Sequence, residues 1–159
     1  MEIVRGEQGS VDLDEFLARP LFAFLGTSAP QGPRVSPVWF LWEDGALWII
    51  ADRRTDSFPH RVGVDPQCAL SVVDFDRRTG LVHHVGVRGE ASVCRFDEAR
   101  ARRLLRRYLG PDESAWDTAR FGPPVGGPDT VLVRVAPVTV VARDQSYRPA
   151  PDLWGGSPW

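Results

Sequence analysis

Between Arg34 and Ala51 the chain spells out a β-hairpin whose arms are apolar on both faces: RVSPVWFLWE, the turn pair Asp44-Gly45, then ALWIIA. Successive strand residues point to opposite sides, so an unbroken apolar arm must be covered on both. An open antiparallel sheet with one wetted face is thereby excluded here. A closed barrel, or a sheet covered on its outer side, is required. Asp-Gly supplies the positive φ values that a tight hairpin turn demands.

The other β-like runs are LFAFLGTS (21–28), CALSVVDF (68–75), LVHHVGVRGEASVC (81–94) and TVLVRVAPVTVVAR (130–143). The third is long enough to bend at Gly86 or Gly89, and Pro137 predicts a bulge or an edge in the last. Helices are expected at 11–18, with Ser10 as N-cap, near 58–64, and at 97–109, with a helical turn within 112–120. The order α-βββ-α-ββ-αα-β contains no βαβ alternation, which excludes a doubly wound parallel sheet. The expected fold is mainly β: a six-stranded, mostly antiparallel barrel with peripheral helices. It spans 1–143 as one domain and is followed by a Pro/Gly-rich tail, 144–159, carrying Trp154 and Trp159.

All 19 basic residues are arginine, so chemistry that needs a Schiff-base or P-loop lysine is ruled out. A formal charge of −2 provides no general attraction to nucleic acid or anionic lipid. Five arginines (Arg100, Arg102, Arg103, Arg106 and Arg107) share one face of the 97–109 helix, and a solvated amphipathic face is the expected reading. His83 and His84 are neighbours on a strand and point to opposite sides, so together they cannot chelate a metal. Cys68 and Cys94 read as small core hydrophobes, and no metal site is expected. No apolar run approaches the ~20 residues of a membrane span, and the first ten residues lack a signal-peptide core. A cytoplasmic location is the expectation.

The series RVSPVWF, Asp-Gly hairpin, ALWIIADRRT, DPQCALSV and VRGEASV resembles the pyridoxamine 5′-phosphate oxidase-like, FMN-binding split β-barrel family over about residues 13–143. The resemblance implies a Greek-key split barrel, a homodimer, and a flavin held in a cleft between subunits. It places the ring and ribityl chain along Val35, Pro37, Val38 and Trp39, with Arg34 and Ser36 toward the polar parts. Ile50 and Ala51 lead into a phosphate loop of Arg53, Arg54, Thr55 and Ser57, with Arg61 one turn beyond. Many relatives carry a lysine in this loop; here Phe58 falls near that position, and Asp52 and Asp56 oppose the arginines.

The function implied is that of an FMN-dependent oxidoreductase passing hydride to or from a small substrate. The alternatives are an F420-dependent reductase of the same fold and a non-catalytic binder of a cofactor or small ligand. No side chain is required as an obligatory acid or base. Trp39, Trp42 and Trp48 are the expected core of the dimer interface, and the tail tryptophans are expected to reach toward the partner.

Overall fold

Val38 ends one strand and Leu41 begins another, and this break between them organises the molecule. The computed structural model describes residues 11–122 and 124–150, together with the backbone of 2–5. The strands are β1 (Glu2–Arg5), β2 (Ala23–Thr27), β3 (Arg34–Val38), β4 (Leu41–Glu43), β5 (Ala46–Asp52), β6 (Gln67–Asp76), β7 (Leu81–Cys94) and β8 (Thr130–Asp144). The helices are α1 (Leu13–Ala18), α2 (Phe58–Val64), α3 (Glu98–Leu109) and α4 (Thr118–Phe121), with a 3-10 turn at Glu113–Ala115.

Seven strands pair antiparallel in the order β3-β2-β6-β7-β8-β5-β4, and β1 adds to β8 in parallel. β3 and β4 therefore lie at opposite ends of the hydrogen-bonded path, although only Trp39 and Phe40 separate them in the chain. The sheet must curl to bring its ends together, yet among the described residues no ladder closes it. That is a split barrel.

Three expectations are corrected here. The stretch 34–43 is two strands, because the chain leaves one end of the sheet and rejoins the other at Trp39-Phe40. The backbone of 2–5 adds a further strand that alternation did not reveal. The first helix also starts later than expected: Asp12, not Ser10, caps it, accepting from Glu15 N at 2.8 Å. Ser10, Trp154 and Trp159 lie outside the described residues.

β8 pairs along one edge with β7, and along the other first with β5, through Val135, and then with β1, from Thr139. Pro137 falls in the gap between those two partners, where a missing N–H removes no bond to either of them. Its register with β7 jumps from Arg88↔Thr139 to Gly89↔Pro137, so the expected bulge sits at Val138.

The barrel interior is filled by Leu25, Phe40, Leu47, Ile49, Val72, Val85, Val133 and Val140, all at most 1% exposed. The outer side of the hairpin is covered by α3, whose Ala101, Leu104 and Leu105 pack with Trp116, Trp39, Leu41 and Ile50. The two-sided apolarity is thus largely met inside the chain, where Trp48 is buried and Trp39 and Trp42 are half-buried. Trp48 is 8% exposed beneath the Arg100 guanidinium at 3.8 Å, and Trp42 Nε1 donates to Asp14 at 2.6 Å. The arginine face of α3 is paired with carboxylates: Arg100 and Arg103 with Glu43, Arg102 with Glu98 and Glu113, Arg106 with Glu113. No helix among the described residues is long and apolar enough to cross a membrane.

Candidate functional site

The split in the barrel opens beside a cleft of about 880 Å³. One wall is the end of β3 and the turn beyond it, Pro37, Val38 and Trp39; a second is the end of β5, Ile50 and Ala51. Leu104 and Leu105 of α3 form the back, while α4 and the following loop (Thr118 to Phe121, Val125) form the outer rim. β3 is a terminal strand of the path, which is why Pro37 is tolerated there. Phe22, 53% exposed, lies at the mouth.

Trp39 is fixed in orientation. Its ring stacks on Tyr108 at 4.6 Å with planes 2° apart, and on Phe121 at 5.9 Å. Tyr108 is fixed in turn: its hydroxyl accepts from Phe40 N at 3.1 Å and donates to Leu21 O at 2.8 Å. Burial raises the Tyr108 pKa, so this hydroxyl stays protonated.

A polar cluster, none of whose side chains lines the cleft, is built around Arg61. Its Nε donates to Thr27 Oγ1 at 2.8 Å, one terminal nitrogen to Ser57 Oγ at 2.6 Å, and the other to Ser36 Oγ at 3.4 Å. Three hydroxyls from β2, β3 and the N-cap of α2 thus orient one guanidinium, and no carboxylate within salt-bridge distance neutralises it among the described residues. Thr27 is 4% exposed and is the one buried polar side chain among them. Such an oriented, unneutralised cation, with hydroxyls that can turn to donate, suits a phosphate.

The loop 52–57 commits its own carboxylates to its backbone. Asp52 Oδ1 accepts from Arg54 N at 2.8 Å and Thr55 N at 3.3 Å, and Asp56 Oδ2 accepts from Asp52 N at 2.8 Å. They cap the turn and do not pair with its arginines.

The structure brings Ser36, Ser57 and Arg61 together, and sets Pro37, Val38, Trp39, Ile50, Ala51 and Thr55 on the cleft. Arg34 is exposed at the end of β3, opposite Thr27 in register. Three expected residues lie elsewhere. Val35 is on the outer sheet face, Arg53 lines a different groove with Arg95, and Arg54 is directed at Asp129 at 3.9 Å. Phe58, near the position where the resemblance leads to a lysine, is 5% exposed in the core. Arg61 lies one turn further on.

Thr27 and Phe121 were not anticipated from the sequence. Thr27 could have been found by parity, since Ala23, Leu25 and Thr27 share the buried face of β2. Phe121 sits in a Gly/Pro-flanked segment with no periodic signal.

The family model described as pyridoxamine 5′-phosphate oxidase matches residues 12–143. No curated protein matches the sequence. Among solved structures, one named F420 reductase is 26% identical, with 83% of this chain and 98% of that chain covered and a TM-score of 0.64. A conserved hypothetical protein from Mycobacterium tuberculosis is 19% identical over 89% of each chain, with a TM-score of 0.69. A FAD-binding protein from Mesorhizobium loti is 15% identical, covering 87% of this chain and 96% of that chain, with a TM-score of 0.59.

Proposed function

The chain belongs to the pyridoxamine 5′-phosphate oxidase family, and from that premise we propose that it is an oxidoreductase whose cleft holds FMN. The observation that carries this reading is the Arg61 cluster, whose Ser36 and Ser57 are flanked in sequence by the cleft residues Pro37, Asp56 and Phe58. A cation held by Thr27, Ser36 and Ser57 is ready for an anion without reorganising. Charge-assisted hydrogen bonds of this kind contribute about 1.5–3 kcal/mol each.

The residues present fit such a group in both its halves. Pro37, Val38, Trp39 and Ile50 offer apolar surface to a flat ring, and the Arg61 cluster, next to the cleft in sequence, offers donors to a phosphate. When bound, the flavin supplies the hydride chemistry; the chain orients it and excludes water. Among the described residues the ionisable side chains lining the cleft are Asp52, Asp56 and Arg120, and the two aspartates are committed to backbone amides, so the chain's own part is read as binding and positioning.

A second reading, the deazaflavin F420 in the same cleft, is favoured by the 26% identity to the F420 reductase structure. We also carry forward the homodimer as part of this proposal. The outer faces of β2, β3 and β6–β8 expose Phe24 and Val35 beside a floor of Gly26, Ala69 and Gly86. Protruding and recessed apolar positions on one face suit the self-complementary contact of a two-fold dimer.

The test is spectroscopic. Purified protein is titrated with FMN and with F420, and the loaded form is mixed with NADPH or with a reduced-cofactor recycling system. Retention of a cofactor that is then reduced or reoxidised supports the oxidoreductase. Retention without turnover supports a binder, and retention of neither defeats the proposal.

A further inference from the structure

With the aspartates of the 52–57 turn committed to backbone amides, one charged side chain lining the cleft is left without a partner among the described residues: Arg120, on the outer rim. It is exposed, and its guanidinium makes no hydrogen bond or salt bridge among those residues. Asp117, the carboxylate nearest in sequence, caps α4 instead, accepting from Ala119 N at 3.0 Å. The charge is nonetheless anchored. The guanidinium lies 5.2 Å from the centre of the Phe121 ring, Phe121 stacks on Trp39 at 5.9 Å, and Trp39 stacks on Tyr108 at 4.6 Å. The mouth of the cleft is otherwise aromatic: Phe22, 53% exposed, tilts against the same Trp39 at 6.4 Å.

We propose that Arg120 selects the substrate, a flat apolar molecule bearing one carboxylate, which lies against Phe22, Trp39 and Phe121 and sets its anion on the guanidinium. The ligand class follows from what the rim offers. Aromatic side chains carry a large apolar surface that a planar hydrocarbon body covers well. A guanidinium fork matches a carboxylate in both plane and charge. A phosphate, with nearly two charges and three acceptor oxygens, suits instead the guanidinium and hydroxyls gathered at Arg61. Exposed ion pairs alone contribute little, because two long side chains must be held in one geometry. Here the cation–π contact with Phe121 holds the cation, and the bound apolar body shields the pair from water. That this ligand is the substrate rests on the oxidoreductase reading above; the carboxylate anchor does not.

The experiment measures by calorimetry the binding of 2-naphthoate and of its neutral isostere 2-naphthamide, with acetate as the small-anion control. The proteins are the wild type, Arg120→Ala and Arg61→Ala, loaded with FMN. In the wild type naphthoate binds at least about tenfold more tightly than naphthamide. Arg120→Ala removes that preference and keeps naphthamide affinity within about twofold, which also shows the variant folded; Arg61→Ala keeps the preference. Binding of neither probe by the wild type, equal affinity for both, or a preference that persists in Arg120→Ala overturns the proposal. Acetate displacing naphthoate at matched concentration overturns it too, because the rim then takes any carboxylate. If Arg120→Ala abolishes the preference for FMN over riboflavin, Arg120 holds the cofactor phosphate and the substrate assignment falls. If the wild type retains no flavin, the oxidoreductase reading fails and the unloaded protein decides on the anchor alone: a naphthoate preference lost in Arg120→Ala upholds it, and any other result overturns it.

Discussion

Trp39 and Tyr108 lie ring on ring at 4.6 Å, and the Tyr108 hydroxyl bonds the backbone of Phe40, the residue after Trp39, and of Leu21, ahead of β2. One side chain of α3 thus holds the cleft wall and satisfies Phe40 N and Leu21 O. Phe40 N cannot find a ladder partner there, because β3 ends at Val38 and β4 begins at Leu41. Tyr108→Phe keeps the stack and leaves those groups unpaired, an expected loss of about 1–3 kcal/mol in urea unfolding. Near-ultraviolet circular dichroism of the Trp39 stack should persist in the folded variant.

Glu43 joins the hairpin to α3. The Arg103 hydrogen bond, reinforced by Arg100, holds its carboxyl below the ordinary value of 4.5. A carboxylate with a depressed folded pKa stabilises the fold above its unfolded pKa. That contribution is lost as pH falls from about 4.5 through the lower folded value. Melting temperatures measured from pH 7 to pH 3 should drop in this window, and Glu43→Gln should lack that part of the drop.

Gly89 faces the bulge in β8, where a Cβ would lie 2.2 Å from Ala136 O. Backbone there cannot withdraw without breaking the β7–β8 ladder. Gly89→Ala is expected to cost about 1–3 kcal/mol, read as a lower urea midpoint.

The outer sheet face predicts assembly. Light scattering after size exclusion at micromolar concentration should give twice the 17.7 kDa chain mass. Phe24→Asp, at a position 45% exposed in the single chain, should return the mass to one chain without unfolding it. A wild-type mass of 17.7 kDa contradicts the dimer.

Much of the barrel was legible because its signals are local. The Asp44-Gly45 turn, the 81–94 strand and the apolar stripe of α3 each follow from short-range pattern. The division of 34–43 was not legible, since the residues on either side of Trp39-Phe40 are equally β-like and only the closure of the sheet separates them. The cleft residues Pro37, Val38, Trp39, Ile50 and Ala51 were found through the resemblance, and the structure sets them together. Arg53 and Arg54 could not be distinguished from Arg61 by charge alone. Their directions depend on Asp52 and Asp56 folding the loop back on its own amides, a three-dimensional fact with no sequence period.

The central claim is that Arg61, held by Thr27, Ser36 and Ser57, receives the phosphate of a flavin nucleotide. Parallel fluorescence titrations with FMN and riboflavin, in the wild type and in Arg61→Ala, test it most directly. The account predicts that the wild type binds FMN at least about tenfold more tightly than riboflavin, or ~1.4 kcal/mol, and that Arg61→Ala removes the difference while leaving riboflavin binding nearly unchanged. Equal affinity of the wild type for both ligands, or an undiminished preference for FMN in Arg61→Ala, would contradict it.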